Sequence, residues 1–562
     1  MGETFDLIIR NGTVLDGTGA PGRQADVGVR GDRIAAVGAL AAASAVRVVD
    51  AAGWVVSPGF IDAHSHSDTF FLIEPDAPSK VTQGVTTEIV GQCGASAAPI
   101  FGQGRLPSDW AALVYPERRC QASGARDQKA AGGESRKPSP ATNHLPPSSA
   151  PGPTWSTVAE YREIFEQVRP AVNAVLLIGH NTLRAGVMGY EPRTATADEV
   201  SAMQRHLTQA LDEGGSGMST GLIYQPGRYA TPEEVLALAK TTAAHGGCYA
   251  THMRSEGDRL LEALDEVLQL GHASGIRLQI SHLKTSSEQN WGKLDAVFAQ
   301  IEAAQRQGVC VHADRYPYLA GGTDLDVVLP DWAAAGGRDA ILARLADDAT
   351  RARMAAELDS SRTRNSWDGV MIGGTTHPEL HALRGQTIAA IAAARGGSAG
   401  EAVVWILQRD ALRTGAFFFG MSGANLRRIY AQPWVMVGSD ASLRAPEGPL
   451  AADHPHPRAY GTFPRFLRLV QDENLMPLPE AIRRITSLPA DAFGLRDRGR
   501  IKAGAFADLA VFNPAAMRDA ATFAAPHVFS SGVRQVWVNG RCCYDHGRFT
   551  GDRGGRVLQS RF

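Results

Sequence analysis

No apolar run in this sequence approaches the ~20 residues that a bilayer-spanning helix requires, so no transmembrane segment is expected. The first residues, Met1-Gly2-Glu3-Thr4-Phe5-Asp6, lack the charged and then apolar pattern of a secretory signal. Cysteine is scarce: Cys93, Cys120, Cys248, Cys310, Cys542 and Cys543 are too few and too scattered for a disulfide framework. Neither sign of charge dominates. Lysine and arginine number 56 against 58 acidic residues, a net charge of -2, which gives no electrostatic case for a nucleic acid or membrane partner. Together these absences point to an enzyme-sized chain working in a reducing cytoplasm. At 562 residues it is long enough for a large core and more than one structural unit.

What is present is organised differently at the ends and in the middle. Phe5-Asp6-Leu7-Ile8-Ile9-Arg10 is a short apolar run that meets Asn11-Gly12, a hairpin signal. Val27 to Val37 and Val46 to Asp50 read as further short strands, as do Ala507 to Phe512 and Val533 to Asn539-Gly540. Two β-rich ends predict one small β-sandwich domain assembled from residues 1–57 and 490–562.

Between them, over residues 58–489, short apolar runs alternate with helical patterns at Ala197–Glu213, Pro232–Ala244, Arg259–Ala273 and Lys293–Gln307. That rhythm is βα repetition around a parallel sheet. Eight candidate strands end at His64/His66, Cys93, His180, Tyr224, His252, His282, Asp314/Tyr316 and Asp440. Eight strands ending in polar or metal-competent residues predict a (β/α)8, TIM-like barrel with its site at the C-terminal face, an α/β fold. Two segments interrupt the rhythm. Residues 116–153, rich in Pro, Ser, Gly and Lys, predict a mobile loop. Residues 321–400, with helical pieces at Arg338–Leu345, Ala349–Leu358 and Thr387–Ala394, predict a lid inserted on the catalytic face.

The chemistry starts at Ser57-Pro58-Gly59-Phe60-Ile61-Asp62-Ala63-His64-Ser65-His66, where an apolar run stops in two histidines spaced i and i+2. On a strand that spacing puts both imidazoles on one side, able to converge on a cation. Thiolate and imidazole are ligand types that zinc favours. Cys93, His252 and His282 would make three protein ligands with a fourth position open, the catalytic arrangement. Cys93 stands between Gly91 and Gly94, where glycines allow close backbone approach. Cys248 and Cys310 read as packing residues.

An ordered set of motifs carries a resemblance to the amidohydrolase superfamily, and within it to the N-acyl-D-amino-acid deacylases. These are PGFIDAHSHSD (58–68), VTQGVTTEIVGQCG (81–94), GHNTLRAGVMG (179–189), GLIYQPGRYAT (221–231), THMRSEGD (251–258) and SHLK (281–284). The set continues with RYPYLAGGTDL (315–325), VGSDAS (437–442), HPRAYGTFPR (456–465) and GRIKAGAFADLAVF (499–512). The resemblance implies metal ligands at His64, His66, Cys93, His252 and His282, and a metal-facing catalytic aspartate at Asp440. It implies that Lys284, Tyr316 and Arg458 hold the substrate carboxylate and that Tyr224 reaches the reacting amide. One tight zinc would sit on Cys93, His252 and His282, with a poorer second site on His64, His66 and Asp440. The implied reaction is zinc-dependent hydrolysis of N-acyl-D-amino acids. Met218 to Tyr224 contains no lysine, which argues against the lysine-bridged cyclic amidases. Gly321-Gly322-Thr323 departs from the serine that the family commonly has there.

Overall fold

The structure, a computed structural model, describes residues 4–106, 154–361 and 364–562. The loop expected at 116–153 lies outside these described residues.

Eight parallel strands form the barrel: Phe60–Asp62, Val85–Val90, Asn173–Gly179, Gly217–Gly221, Cys248–His252, Arg277–Ile280, Val311–Arg315 and Val435–Val437. They neighbour one another in chain order, and the ring is closed by Ala63 N donating to Val437 O at 3.3 Å and a Ser65–Ala441 bridge. Helices between them begin at sequence-encoded caps. Thr196 accepts from Glu199 N while Glu199 reaches back, a capping box that starts Ala197–Asp212. Thr231 caps Pro232–Ala244, with proline at the first turn where its missing N–H costs nothing.

Inside the barrel Ile61, Ile89, Val175, Leu177, Ala250 and Met436 pack together with Cys248. Leu488, Phe493 and Leu495, in and after the helix Ser487–Ala492, close this core from below. Burial pushes the Cys248 thiol up to about 12, as suits a packing residue. The lower end is thus filled with side chains, which leaves the C-terminal face for chemistry.

Both ends of the chain meet in a separate nine-stranded sheet. Its seam is the antiparallel pairing of Val55–Pro58 with Leu509–Phe512. The Asn11-Gly12 hairpin does not form. Thr4–Val14 runs straight through it, with Asn11 at φ 60° and the register slipping between Ile9 and Gly12. Asn-Gly here makes a bulge, because long partners on both sides favour continuing the ladder over turning. At Asn539-Gly540 the same dipeptide does join two antiparallel strands, Val533–Val538 and Arg541–Asp545. Val557–Leu558 leaves this sheet and pairs with the third barrel strand.

The interruption between the seventh and eighth barrel strands carries its own antiparallel sheet, Ala320–Asp324, Gly415–Phe419 and Val370–Ile372. Leu325, Leu345, Met354, Trp367, Ile388 and Leu407 belong to its separate apolar cluster. The hydrogen-bonded unit extends to Phe419, beyond the 321–400 read from the sequence, because Gly415–Phe419 is its central strand.

Candidate metal centre

The residues that end the first, second, fifth, sixth and eighth barrel strands converge on one buried cluster. Donor atoms of His64, His66, Cys93 and Asp440 lie within 4.8 Å of one another, and so do those of Cys93, His252 and His282. Cys93 belongs to both groups. Its Sγ is 3.4 Å from His64 Nε2, 3.5 Å from His282 Nε2 and 3.8 Å from His252 Nδ1. Asp440 Oδ1 lies 3.3 Å from His64 Nε2 and 3.1 Å from His66 Nε2.

Local backbone puts these groups in place. Cys93, His282 and Asp440 have φ of 53°, 38° and 50°, in the left-handed region where non-glycine residues are held only by their surroundings. Beside Cys93, a Cβ on Gly91 would lie 2.0 Å from Leu177 O and one on Gly94 2.2 Å from Asn181 Oδ1. Only glycine allows the strand end to approach its neighbours so closely.

The far side of each imidazole is also held. Asp314 Oδ2 faces His64 Nδ1 at 3.3 Å, and its Oδ1 accepts from His282 N at 3.0 Å. Glu256 Oε1 lies 2.7 Å from His282 Nδ1, and Oε2 lies 3.6 Å from His252 Nε2. Carboxylates behind metal-facing imidazoles fix tautomer and orientation. Glu256 was missed from sequence alone, although its place four residues after His252 in THMRSEGD was a usable signal. The donor chemistry suits zinc: a thiol, imidazoles with their second nitrogens anchored, and a carboxylate. Burial alone would raise the Cys93 thiol, yet the His64 and His282 charges and hydrogen bonds from His252 and His282 hold it well below a free thiol. Burial likewise opposes ionisation of Asp440, but Arg458, His282 and His64 keep its carboxyl well below the usual range.

The residues expected to hold a carboxylate surround this cluster. Arg458 Nη1 lies 2.8 Å from Asp440 Oδ2, and its Nη2 donates to Gly322 O at 3.1 Å. The Arg458 guanidinium lies 4.7 Å from the centre of the buried Tyr316 ring. Lys284 Nζ contacts Glu256 and is 2.9 Å from His282 Nδ1, so in this state its charge is neutralised by a carboxylate. Tyr224 stacks edge-on to His252 with ring centres 5.0 Å apart, and its hydroxyl accepts from Thr323 Oγ1 at 3.2 Å. Burial, with Cys93 nearby, raises its pKa well above 10, so it stays a donor. His180 is not brought to the cluster. It opens the helix His180–Met188, and its Nε2 meets Glu234 Oε1 at 2.9 Å, where Arg184 also binds.

The Amidohydrolase family matches residues 47–544 of this sequence. The chain belongs to that family. This amidohydrolase is 37% identical to the D-aminoacylase of Alcaligenes xylosoxydans xylosoxydans, over 99% of this chain and 98% of that one. The solved N-acyl-D-glutamate deacylase of Bordetella bronchiseptica, complexed with zinc and a phosphonate inhibitor that mimics the tetrahedral intermediate, is 35% identical. It superposes with a TM-score of 0.79 over 99% of this chain and 100% of that one. A D-aminoacylase structure described by its binuclear metal centre, with one-metal activation and second-metal attenuation, is 38% identical. Its TM-score is 0.78, over 99% of this chain and 100% of that one.

Proposed function

We propose that this amidohydrolase is a zinc-dependent N-acyl-D-amino-acid deacylase, hydrolysing a linear amide to a carboxylic acid and a D-amino acid. The observation that carries the reading is the shared Cys93 thiol between two donor groups, with Arg458 and Asp440 beside it. Cys93, His252 and His282 hold the tight zinc, because a thiolate and two anchored imidazoles are the stronger set. His64, His66 and Asp440, with the same thiolate, form the weaker one. Zinc at the tight set would supply Lewis acidity and lower the pKa of water there to about 7.

The chain's own groups do the rest. Asp440 Oδ1 takes the proton of the attacking water and later delivers it to the leaving amide nitrogen. Tyr224 donates to the oxygen that gains charge during attack. Arg458, Lys284 and Tyr316 receive the free carboxylate of the amino-acid half, Arg458 being suited to bidentate binding. The inserted unit around 321–400 serves as the lid, since its first strand runs from Arg458 at Gly322 to Tyr224 at Thr323. Residues 58–489 then supply the catalytic barrel, and 1–57 with 490–562 the supporting β-domain, apart from Phe493, Leu495 and Val557–Leu558, which pack or pair with the barrel. Among the described residues five cysteines are free, which suits a reducing cytoplasm, and no helix is long and apolar enough to cross a membrane.

Matched N-acetyl-D- and N-acetyl-L-amino acids, assayed with and without added zinc, test this reading. Zinc-dependent turnover of the D series alone is expected. Equal turnover of the L series, or hydrolysis of cyclic amides in preference to linear ones, would overturn it.

A further inference from the structure

Seven lysine and arginine side chains are buried among the described residues. Six of them have a carboxylate within 4.0 Å: Lys80 has Asp62 and Glu88, Arg184 has Glu234, and Lys284 has Glu256. Arg458 has Asp440, Arg484 has Glu480 and Arg498 has Asp508. The seventh is Arg315, which ends the seventh barrel strand, is 1% exposed and has no such partner among the described residues. Its Nη2 donates to Tyr318 O at 2.9 Å and lies 2.7 Å from Met421 Sδ. Nε and Nη1 have no hydrogen-bond partner. A charge taken out of water is costly unless it is paired and hydrogen-bonded, and Arg315 is neither in full.

Arg315 also lines a cavity of about 10 Å³, with Lys284, Thr285, Ser422, Leu426 and Ile429 among its other walls. That is room for one particle of about the size of a water molecule. Lys284 and Arg315 are the only ionisable groups on its wall, and both are cations. Ser422 caps the nine-residue helix Gly423–Ala431, accepting from Asn425 N at 3.2 Å, so the positive end of that helix faces the same place. The local excess of positive charge is felt at Tyr316, whose ring centre is 4.2 Å from the Arg315 guanidinium. Burial would raise the Tyr316 hydroxyl, yet Lys284, Arg315 and Arg458 bring it below 10. A water molecule in the cavity would satisfy N–H groups and leave the charge of Arg315 standing. A carboxylate, phosphate or sulfate is too large for it. A monatomic anion meets both demands.

We infer that this cavity is a halide site, holding chloride as the resident counter-ion of Arg315. Arg315 supplies the free N–H groups, Ser422 a hydroxyl and Lys284 a second positive charge. The unfolded chain has no such cavity, so the ion binds the native state and stabilises it by mass action. The inference does not rest on the deacylase reading, because its readouts are stability and the position of the ion.

The test takes zinc-loaded wild type and Arg315→Met in methanesulfonate buffer and replaces that bulky anion stepwise by chloride or bromide at constant ionic strength. The wild-type Tm should rise and saturate, by about 2 °C when the halide reaches 100 times its Kd. The Tm of Arg315→Met should not respond. Halide bound to zinc would act alike on both proteins, so the difference between them reports Arg315. Wild-type crystals soaked in bromide give a second readout, and anomalous density is expected beside the Arg315 guanidinium. That density decides alone if Arg315→Met does not fold. A response that never saturates, an equal response in Arg315→Met, or the absence of bromide beside Arg315 overturns the site and leaves the cavity to water.

Discussion

Lys80→Met would remove a cation from a pocket closed to water behind the metal centre. Lys80, Asp62 and Glu88 are all fully buried. The ammonium lies 2.9 Å from Asp62 Oδ2, 3.0 Å from Glu88 Oε2, 3.1 Å from Ser439 Oγ and 3.0 Å from Ala441 O. Removing one partner of a buried ion pair costs roughly 3–5 kcal/mol, because the other charge is left uncompensated. Two features put this case at the lower end. Asp62 keeps hydrogen bonds from Ser439 N at 2.8 Å and Ser439 Oγ at 2.6 Å. Glu88 is already raised by its burial and by Asp62, so it accepts a proton readily once the lysine is gone. A loss of about 3 kcal/mol is therefore expected for zinc-loaded protein in urea unfolding. Activity should suffer separately, since Lys80 grips Ser439 and Ala441 on either side of the left-handed Asp440. A misplacement near 1 Å can cost about 10²-fold, so kcat should fall on that scale while the tight zinc stays bound. Glu88→Gln in the same chain should restore part of the stability by removing the stranded carboxylate. A Lys80→Met protein within about 1 kcal/mol of wild type, well short of the cost of a broken buried pair, would refute the argument that this network holds the barrel seam.

Cys93→Ala should lose zinc from both donor groups, because the thiolate is common to them; full occupancy by metal analysis would show that the imidazoles suffice. Asp440→Asn should keep its tight zinc but lose about 10²–10⁴-fold in kcat, the usual worth of general acid–base action; a loss under about tenfold would move the proton shuttle elsewhere. His312, in the seventh barrel strand, is lowered from 6.5 to about 4 by burial and by Arg277. The unfolded chain binds that proton below pH 6.5 and the native state only below about 4, so this histidine removes stability as pH falls across that window. His312→Gln should flatten the acid side of the stability profile by at most about 3 kcal/mol, and an unaltered profile would clear His312 of the effect.

Much of the barrel was legible because its signals are local. Thr231 before Pro232, or an apolar run stopping at His252, needs no knowledge of distant residues. The Asn11-Gly12 turn was misread for the converse reason. The dipeptide suits a turn and also a bulge, and only the strands paired on either side choose between them. At the site, the residue type of Lys284 suits anion binding, and only the fold brings Glu256, 28 residues earlier, against it.

By itself the sequence determined the alternation of strand and helix, the β-rich ends, and the placing of thiol, imidazole and carboxylate groups at strand ends. These follow from residue spacing along one element, which strand geometry converts directly into a shared side or end. Only the tertiary structure decided that Cys93 serves two donor groups and that His180 turns away to Glu234. It alone placed Lys80 against Ser439, 359 residues away. Such contacts depend on how strands order around the barrel and on which buried charges find partners. Low-dielectric burial makes those partnerships compulsory, but no local pattern names the partner.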